Sequence, residues 1–228
     1  MKLLSESELV WSPVVANSTM NRERNANGIN SYEKEFKFKP EAFLVNHIDK
    51  FGQVKWLDIC CGQGKALIQV ATYLSNKNLQ HKAALKGIDL VDSFLPILPS
   101  VTCLQFEVKS AVEWASGEAY DLITCVHGLH YIGDKLKVLK TAMASLTSNG
   151  LFIANLDLKN IMIGNGDAQN HMKSIFKNNT VQYNARTRII QCNGPRSIDF
   201  GVQYKGASDQ AGPNYTGQEA VNSFYDLM

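Results

Sequence analysis

Between Lys55 and Leu156 the chain alternates short, nearly unbroken apolar runs with stretches in which apolar residues return every three or four positions. The runs are Val54–Cys60, Ala84–Leu90, Val101–Val108, Tyr120–Val126 and Leu151–Leu156. Runs this short and this continuous predict strands buried on both faces, while Lys65–Leu74 and Lys135–Leu146 carry the helical period. In the second of these, Leu136, Leu139, Ala142, Met143 and Leu146 share one face. Strands alternating with helices predict parallel pairing, with helices over both faces of the sheet. Asn149-Gly150 predicts the turn that stops the last helix before the fifth strand.

The ends of the chain read differently. Ser5-x-x-Glu8 has the spacing of a capping box and predicts a short helix, and Pro40 opens a second helix over Glu41 to about Phe51. Arg186–Cys192 and Ile198–Lys205 look like strands, and the link Asn193-Gly194-Pro195-Arg196-Ser197 predicts that they form an antiparallel hairpin. Residues 1–50 are expected to form a helical cap segment, and 51–228 a single compact unit.

Composition narrows the class without naming an activity. The 228 residues suit one large domain or one domain with an appendage. With 23 Lys+Arg against 21 Asp+Glu, the formal charge is +2, so no strong field draws the protein to nucleic acid or anionic lipid. The five cysteines include no C-x-x-C pair, and four sit in apolar runs, so free buried thiols and no metal site are expected. Glu6 and Glu8 interrupt what would be a signal-peptide core, and no apolar run reaches the roughly 18–20 residues of a membrane span. The chain therefore reads as soluble and cytoplasmic.

The most informative stretch is Trp56-Leu57-Asp58-Ile59-Cys60-Cys61-Gly62-Gln63-Gly64-Lys65, a strand, a glycine-containing turn and a helix start. Glycines there let backbone approach a ligand, and the helix start offers free N–H groups. The dinucleotide pattern G-x-G-x-x-G fails at Leu67, and a P-loop is absent. The stretch resembles the first motif of the class I S-adenosylmethionine (SAM)-dependent methyltransferases, D-x-G-x-G-x-G. Asp58, Gly62 and Gly64 match it, while Cys60 stands at the first glycine. Gly87-Ile88-Asp89 closes the second strand with an acid, Tyr120–Cys125 is similar to the family's fourth strand, and Leu129-His130-Tyr131 resembles its Leu-His-His.

The resemblance implies an α/β fold: a Rossmann-like, mostly parallel seven-stranded sheet with helices on both faces and an antiparallel C-terminal hairpin. It implies SAM as cofactor and S-adenosylhomocysteine (SAH) as product. Gly62, Gly64 and the Cys60 turn would make room for the methionyl part, and Asp58 would help hold its amino group. Asp89 would take the ribose, Leu90 the adenine face, and Ser110 and Ala111 the adenine edge. Cys125 and Val126 would present backbone, and Tyr32 of the lid would touch SAM. Either of two readings fits the histidines. His130 first and His127 second are candidate general bases, with Tyr131 orienting, because imidazole titrates near neutrality; or both merely bond loop backbone. Asn155 would bind substrate or steady His130. Arg22 and Arg24 would pair with a substrate carboxylate or else form a solvated face. Arg186 and Arg188 are expected on the outer face of a strand, and Trp11, Trp56 and Trp114 in packing.

Nucleic-acid substrates are disfavoured. A (D/N)PPY-type motif is missing where Val126-His127-Gly128-Leu129 stands, and no Pro-Cys dipeptide occurs. No acidic or histidine cluster suggests a metal. The leading expectation is transfer of a methyl group to oxygen or nitrogen of a small metabolite. A peptide or protein acceptor, and a non-catalytic SAM-binding partner subunit, are the alternatives.

Overall fold

The computed structural model describes residues 2–16, 23–115, 117–164 and 166–228. Three short segments lead in: α1 (Glu6–Leu9), α2 (Tyr32–Phe36) and α3 (Pro40–Phe51). The capping box at Ser5 is present, with Glu8 N–H donating to Ser5 and the Glu8 carboxylate reaching back. Ser31 caps α2 one way only, accepting from Lys34 N–H at 3.1 Å.

Five strands and two helices follow: β1 (Val54–Ile59), α4 (Lys65–Asn76), β2 (Ala83–Asp89), β3 (Leu104–Val108), β4 (Tyr120–Cys125), α5 (Lys135–Ala144) and β5 (Leu146–Asn155). An α-helix comes after β1 and another after β4, with none between β2, β3 and β4 among the described residues. Beyond these lie β6 (Ile161–Ile163), β7 (Gly166–Asp167), α6 (Gln169–Asn178), β8 (Gln182–Asn184), β9 (Ile189–Asn193), β10 (Val202–Ser208) and β11 (Asn222–Leu227). The main sheet has seven strands in the order β3-β2-β1-β4-β5-β9-β8. Its first five are parallel, and β9 runs antiparallel to both neighbours. This is the Rossmann-like sheet that the strand and helix order implied.

Adjacent residues of the central strands face opposite layers, which is why these strands read as continuous apolar runs. Trp56, Leu122 and Ile153 pack with Leu44 and Ile48 of α3 and Leu67, Val70 and Leu74 of α4. Leu57, Ile123 and Phe152 pack with Leu136, Leu139 and Met143 of α5 and Met172 and Phe176 of α6. The sheet order reverses between β1 and β4, so their carboxyl ends diverge into a crevice where ligands bind in open α/β sheets.

Three expectations need correction. Asn149-Gly150 does not end the helix. α5 stops at Ala144, and the dipeptide lies inside β5, where pairing slips between Tyr120↔Leu146 and Leu122↔Leu151. A Cβ on Gly150 would stand 2.7 Å from the Tyr120 carbonyl oxygen, so the glycine serves that irregularity. The predicted hairpin also regroups. β9 has both edges filled, by β5 and by β8, and β10 instead joins a second sheet of order β10-β11-β6-β7. Finally, Trp56 and Trp114 are buried, but Trp11 lies past the end of a one-turn helix and is 83% exposed.

The N-terminus is woven into this second sheet. Leu4 and Ala207 exchange backbone hydrogen bonds of 2.8 and 2.9 Å, and Glu6 accepts from Asp134 N–H at 2.6 Å. Lys135, 1% exposed, is a buried cation that donates to the carbonyls of Ile132 and Val221 and to Ser223 Oγ. Burial pushes its pKa down to about 7.

Candidate active site

A cavity opens at the carboxyl ends of β1, β2, β3 and β4. From the sheet side it is lined by Cys60, Cys61, Gly62, Asp89, Leu90, Ser110, Ala111, Val126 and His127. Leu9, Val10, Val15, Arg24 and Tyr32 of the N-terminal region line it from above. Most residues expected around a cofactor therefore do meet in one place.

The turn after β1 explains the sequence pattern. Gly62 and Gly64 have φ of 59° and 72°, the left-handed region that glycine enters without strain. At Gly64 a Cβ would stand 2.2 Å from the Phe106 ring, so α4 starts close against β3 only because that side chain is absent. Cys60 also has positive φ, 56°, which shows why glycine suits this position. Its side chain fits because Gly128 opposite has none; a Cβ there would lie 2.4 Å from Cys60 Cβ. All five cysteines are free. The hydrogen bond with the Cys125 thiol, and then burial, raises the Cys60 pKa and keeps it in its neutral form.

The two acids differ. Asp89, half-buried at the cavity rim, accepts from Gly62 N–H at 2.8 Å and Val91 N–H at 3.1 Å. Asp58 is buried behind Tyr32 and does not line the cavity. Its oxygens accept from Tyr32 Oη and Thr124 Oγ1, both at 2.6 Å, and Trp56 Nε1 donates to Thr124 at 2.8 Å. Desolvation raises the Asp58 pKa to about 7 against the lowering effect of those two hydroxyls. Gly64 and Cys125 likewise stand behind the wall.

The histidines separate as well. His127 lines the cavity at φ 57°, an uncommon conformation for a residue with a Cβ. Its Nε2 is 3.3 Å from Glu35 Oε2 and its Nδ1 3.4 Å from Tyr215 Oη. Asn155 accepts from the His127 backbone N–H at 3.2 Å, so it steadies His127 rather than His130. His130 is 1% exposed, does not line the cavity, and has no hydrogen-bond partner for Nε2 among the described residues. Desolvation pushes its pKa down to about 3. Tyr131 lines the cavity and donates to Gln218 Oε1 at 2.7 Å.

Arg24 sits at the cavity and donates to Asn30 Oδ1 at 2.9 Å, with Glu35 Oε1 at 3.7 Å. Arg22 lies outside the described residues. The expected outward arginine pair is overturned at Arg188. It closes the turn before β9 at φ 53°, bonds Asp157 Oδ2 through Nε at 3.1 Å, and stands 4.2 Å over the Tyr215 ring. Sequence reasoning missed Glu35, Thr124, Arg188 and Tyr215. Glu35 follows Tyr32 by three positions, the spacing that puts both on one helical face. Tyr215 lies in a polar loop far along the chain and carries no local signal.

Comparison with known proteins adds the following. The model of a family described as "Methyltransferase domain" matches residues 21–189, more than half of the chain. No curated protein matches the sequence. Similar solved structures include YjhP from E. coli, at 19% identity, with 51% of this chain and 49% of that chain covered and a TM-score of 0.37. The plantazolicin methyltransferase BpumL with an analogue and SAH matches at 21% identity, 65% and 53% coverage and a TM-score of 0.38. Phosphoethanolamine N-methyltransferase 1 of Haemonchus contortus matches at 17% identity, 52% and 26% coverage and a TM-score of 0.36. The chain thus spans about half the length of the first two and about a quarter of the third.

Proposed function

The chain belongs to the methyltransferase domain family, the SAM-dependent enzymes, and from that premise we propose that it methylates an oxygen or nitrogen of a small metabolite with His127 taking the acceptor's proton. One observation carries the reading: a single cavity joins the glycine turn and Asp89 on one side to His127 and Tyr131 on the other.

The lining suits the cofactor. Asp89, fixed by two backbone N–H groups, is oriented to accept ribose hydroxyls. Leu90, Val91, Ala111 and Val112 give apolar flanks for adenine, with Ser110 at its edge. Gly62 gives the methionyl part close backbone approach, and Tyr32 stands between it and Asp58. Asp58 then acts on the cofactor's amino group only through Tyr32, which it orients. The bound cofactor supplies the methyl group and its leaving group.

The protein's remaining task is to align the acceptor and receive its proton. His127 suits this better than His130, because it faces the cavity. A small acceptor is favoured because α1 and Arg24 roof the site, where a peptide would need an open groove. On this reading residues 1–50 act as the lid, with Arg24 the cation that its described residues bring to the cavity lining. The five unpaired thiols fit a reducing compartment such as the cytoplasm.

Incubation with SAM and a metabolite mixture, read by mass spectrometry, should yield a product heavier by one methyl group. With that acceptor, His127→Ala should lower turnover about 10²–10⁴-fold while SAH binding persists. His130→Ala should leave turnover largely unchanged. Full turnover of His127→Ala across a pH series contradicts the base assignment.

A further inference from the structure

Two sulfurs meet beside the cofactor turn. A Cβ on Gly128 would stand 2.9 Å from Cys60 Sγ and 2.8 Å from Cys125 Sγ, so both sulfurs converge on the space that this glycine leaves. The two thiols are hydrogen-bonded to each other. The sheet explains the meeting. β1 and β4 are parallel neighbours with Asp58 level with Thr124, so Cys60 lies one position beyond Cys125. Neighbouring strands about 4.8 Å apart, offset by one rise of about 3.3 Å, put the two Cα atoms about 6 Å apart, within the span of a disulfide. Regular alternation would turn their side chains to opposite faces. The left-handed backbone of Cys60, at φ 56°, breaks that alternation, and its side chain packs on the cluster that holds Cys125.

The other thiols point elsewhere. Cys61 and Cys103 belong to the opposite layer of the core. The Cys61 sulfur lies 2.8 Å from where a Cβ on Gly87 would stand and faces the Gly62 carbonyl at 3.8 Å. Cys192 faces the Gly194 carbonyl at 3.5 Å. Within the pair, Cys60 is half-buried and lines the cavity, while Cys125 is enclosed behind it. We propose that Cys60 and Cys125 form a reversible disulfide when a hydroperoxide reaches Cys60 through the cavity, and that this bond switches off cofactor binding. The switch rests on the reading of this cavity as the cofactor site.

Cys60 gives up its proton, and its sulfur attacks one oxygen of the peroxide. The O–O bond breaks, the sulfur becomes a sulfenic acid, and the other oxygen leaves with the proton, as water when the oxidant is hydrogen peroxide. The Cys125 sulfur then attacks the Cys60 sulfur, the S–O bond breaks, and the departing hydroxide takes the Cys125 proton as water. The two sulfurs lose two electrons and the peroxide gains them. The Cys125 hydrogen bond, then burial and the charge of nearby Asp89, oppose the Cys60 thiolate, so the first step is slow at neutral pH. Joining the sulfurs at about 2.0 Å draws Cys60 toward β4. Gly62, two residues on, carries the N–H that holds Asp89 at 2.8 Å, so the same movement displaces the acid assigned to the ribose. Cofactor and disulfide then oppose each other, and by linkage each weakens the other by the same factor.

Mass spectrometry and calorimetry read the bond and its effect without any methyl acceptor. Hydrogen peroxide at about pH 8, where thiolates become populated, should lower the intact mass by two hydrogen atoms and join Cys60 to Cys125 in the peptide map. The oxidised protein should bind SAH about tenfold more weakly or worse, and dithiothreitol should restore the affinity. SAH present during oxidation should slow the loss of hydrogen. Cys61→Ala should still cross-link, which places the bond at Cys60 rather than at its neighbour. Cys60→Gly, where glycine suits the φ of 56°, and Cys125→Ala, with its melting temperature checked, should each bind SAH equally before and after peroxide. Free thiols after peroxide, a Cys60–Cys61 link, or an oxidised Cys60 without a link overturns the pair. A Cys60–Cys125 link with SAH affinity unchanged overturns the switch. Failure of the reduced wild type to bind SAH removes the cofactor reading and the switch with it, while the mass still tests the bond.

Discussion

Asp58 shows how far one residue's sequence signature and its structural role can part. The motif marks it as a ligand for the cofactor's amino group, yet its carboxylate is enclosed by Tyr32 and Thr124. Asp58 should leave its mark on stability. Its pKa rises from 3.8 to about 7 on folding, mainly by desolvation, so between these values the folded state binds more protons than the unfolded one. Stability then falls as pH rises through that window and is flat above it. Asp58→Asn should flatten that decline, because the amide carries no titrating charge and Tyr32 Oη can turn to accept from it. Urea unfolding at a series of pH values from about 4 to 8 measures this, and an equal decline in both proteins contradicts it. At Cys60 and Gly128 the sequence showed a departure from the motif but not its compensation, since the two residues meet only in space.

At the scale of elements, the central five strands were legible because both faces of each are buried, which leaves an uninterrupted apolar run. The hairpin partner was not legible. A turn signal such as Asn193-Gly194 says that a strand ends, but not whether its free edge is already filled, and here β5 and β8 fill both edges of β9. The second sheet escaped notice because β6 and β7 span three and two residues, too short for any periodicity. Lys135 looked like an ordinary helix start, yet it anchors α5 to β11 through Val221 and Ser223. Its pKa falls from 10.5 to about 7 on folding, so between these values the unfolded state binds more protons and stability rises with pH. Lys135→Met should abolish that rise and, by leaving buried acceptors without a donor, cost about 1–3 kcal/mol near pH 8. Denaturant midpoints at pH 7 and pH 9.5 test both.

For the whole molecule, the cavity is assembled from distant stretches: a glycine turn near residue 62, an acid at 89 and a histidine at 127, with Tyr215 against that histidine from outside the lining. The first three lie in the sheet's repeating pattern and were read in the sequence; Tyr215 and the docking of Glu6 onto the Asp134 turn were not. Among the described residues no helix is long and apolar enough to cross a membrane. Leu9, Val10, Val15, Arg24 and Tyr32 of the N-terminal region line the cavity, so on the proposed lid reading a bound ligand should stabilise their docking. Limited proteolysis should cut within residues 1–35 more slowly when SAH is present, and equal rates contradict the lid. The most direct test is calorimetric titration with SAH, with NAD as control. Micromolar binding of SAH is expected, with none of NAD and a loss of about 2–4 kcal/mol in Asp89→Ala, where ribose hydroxyls lose their acceptor. Absence of SAH binding, or binding indifferent to Asp89, contradicts the cofactor site.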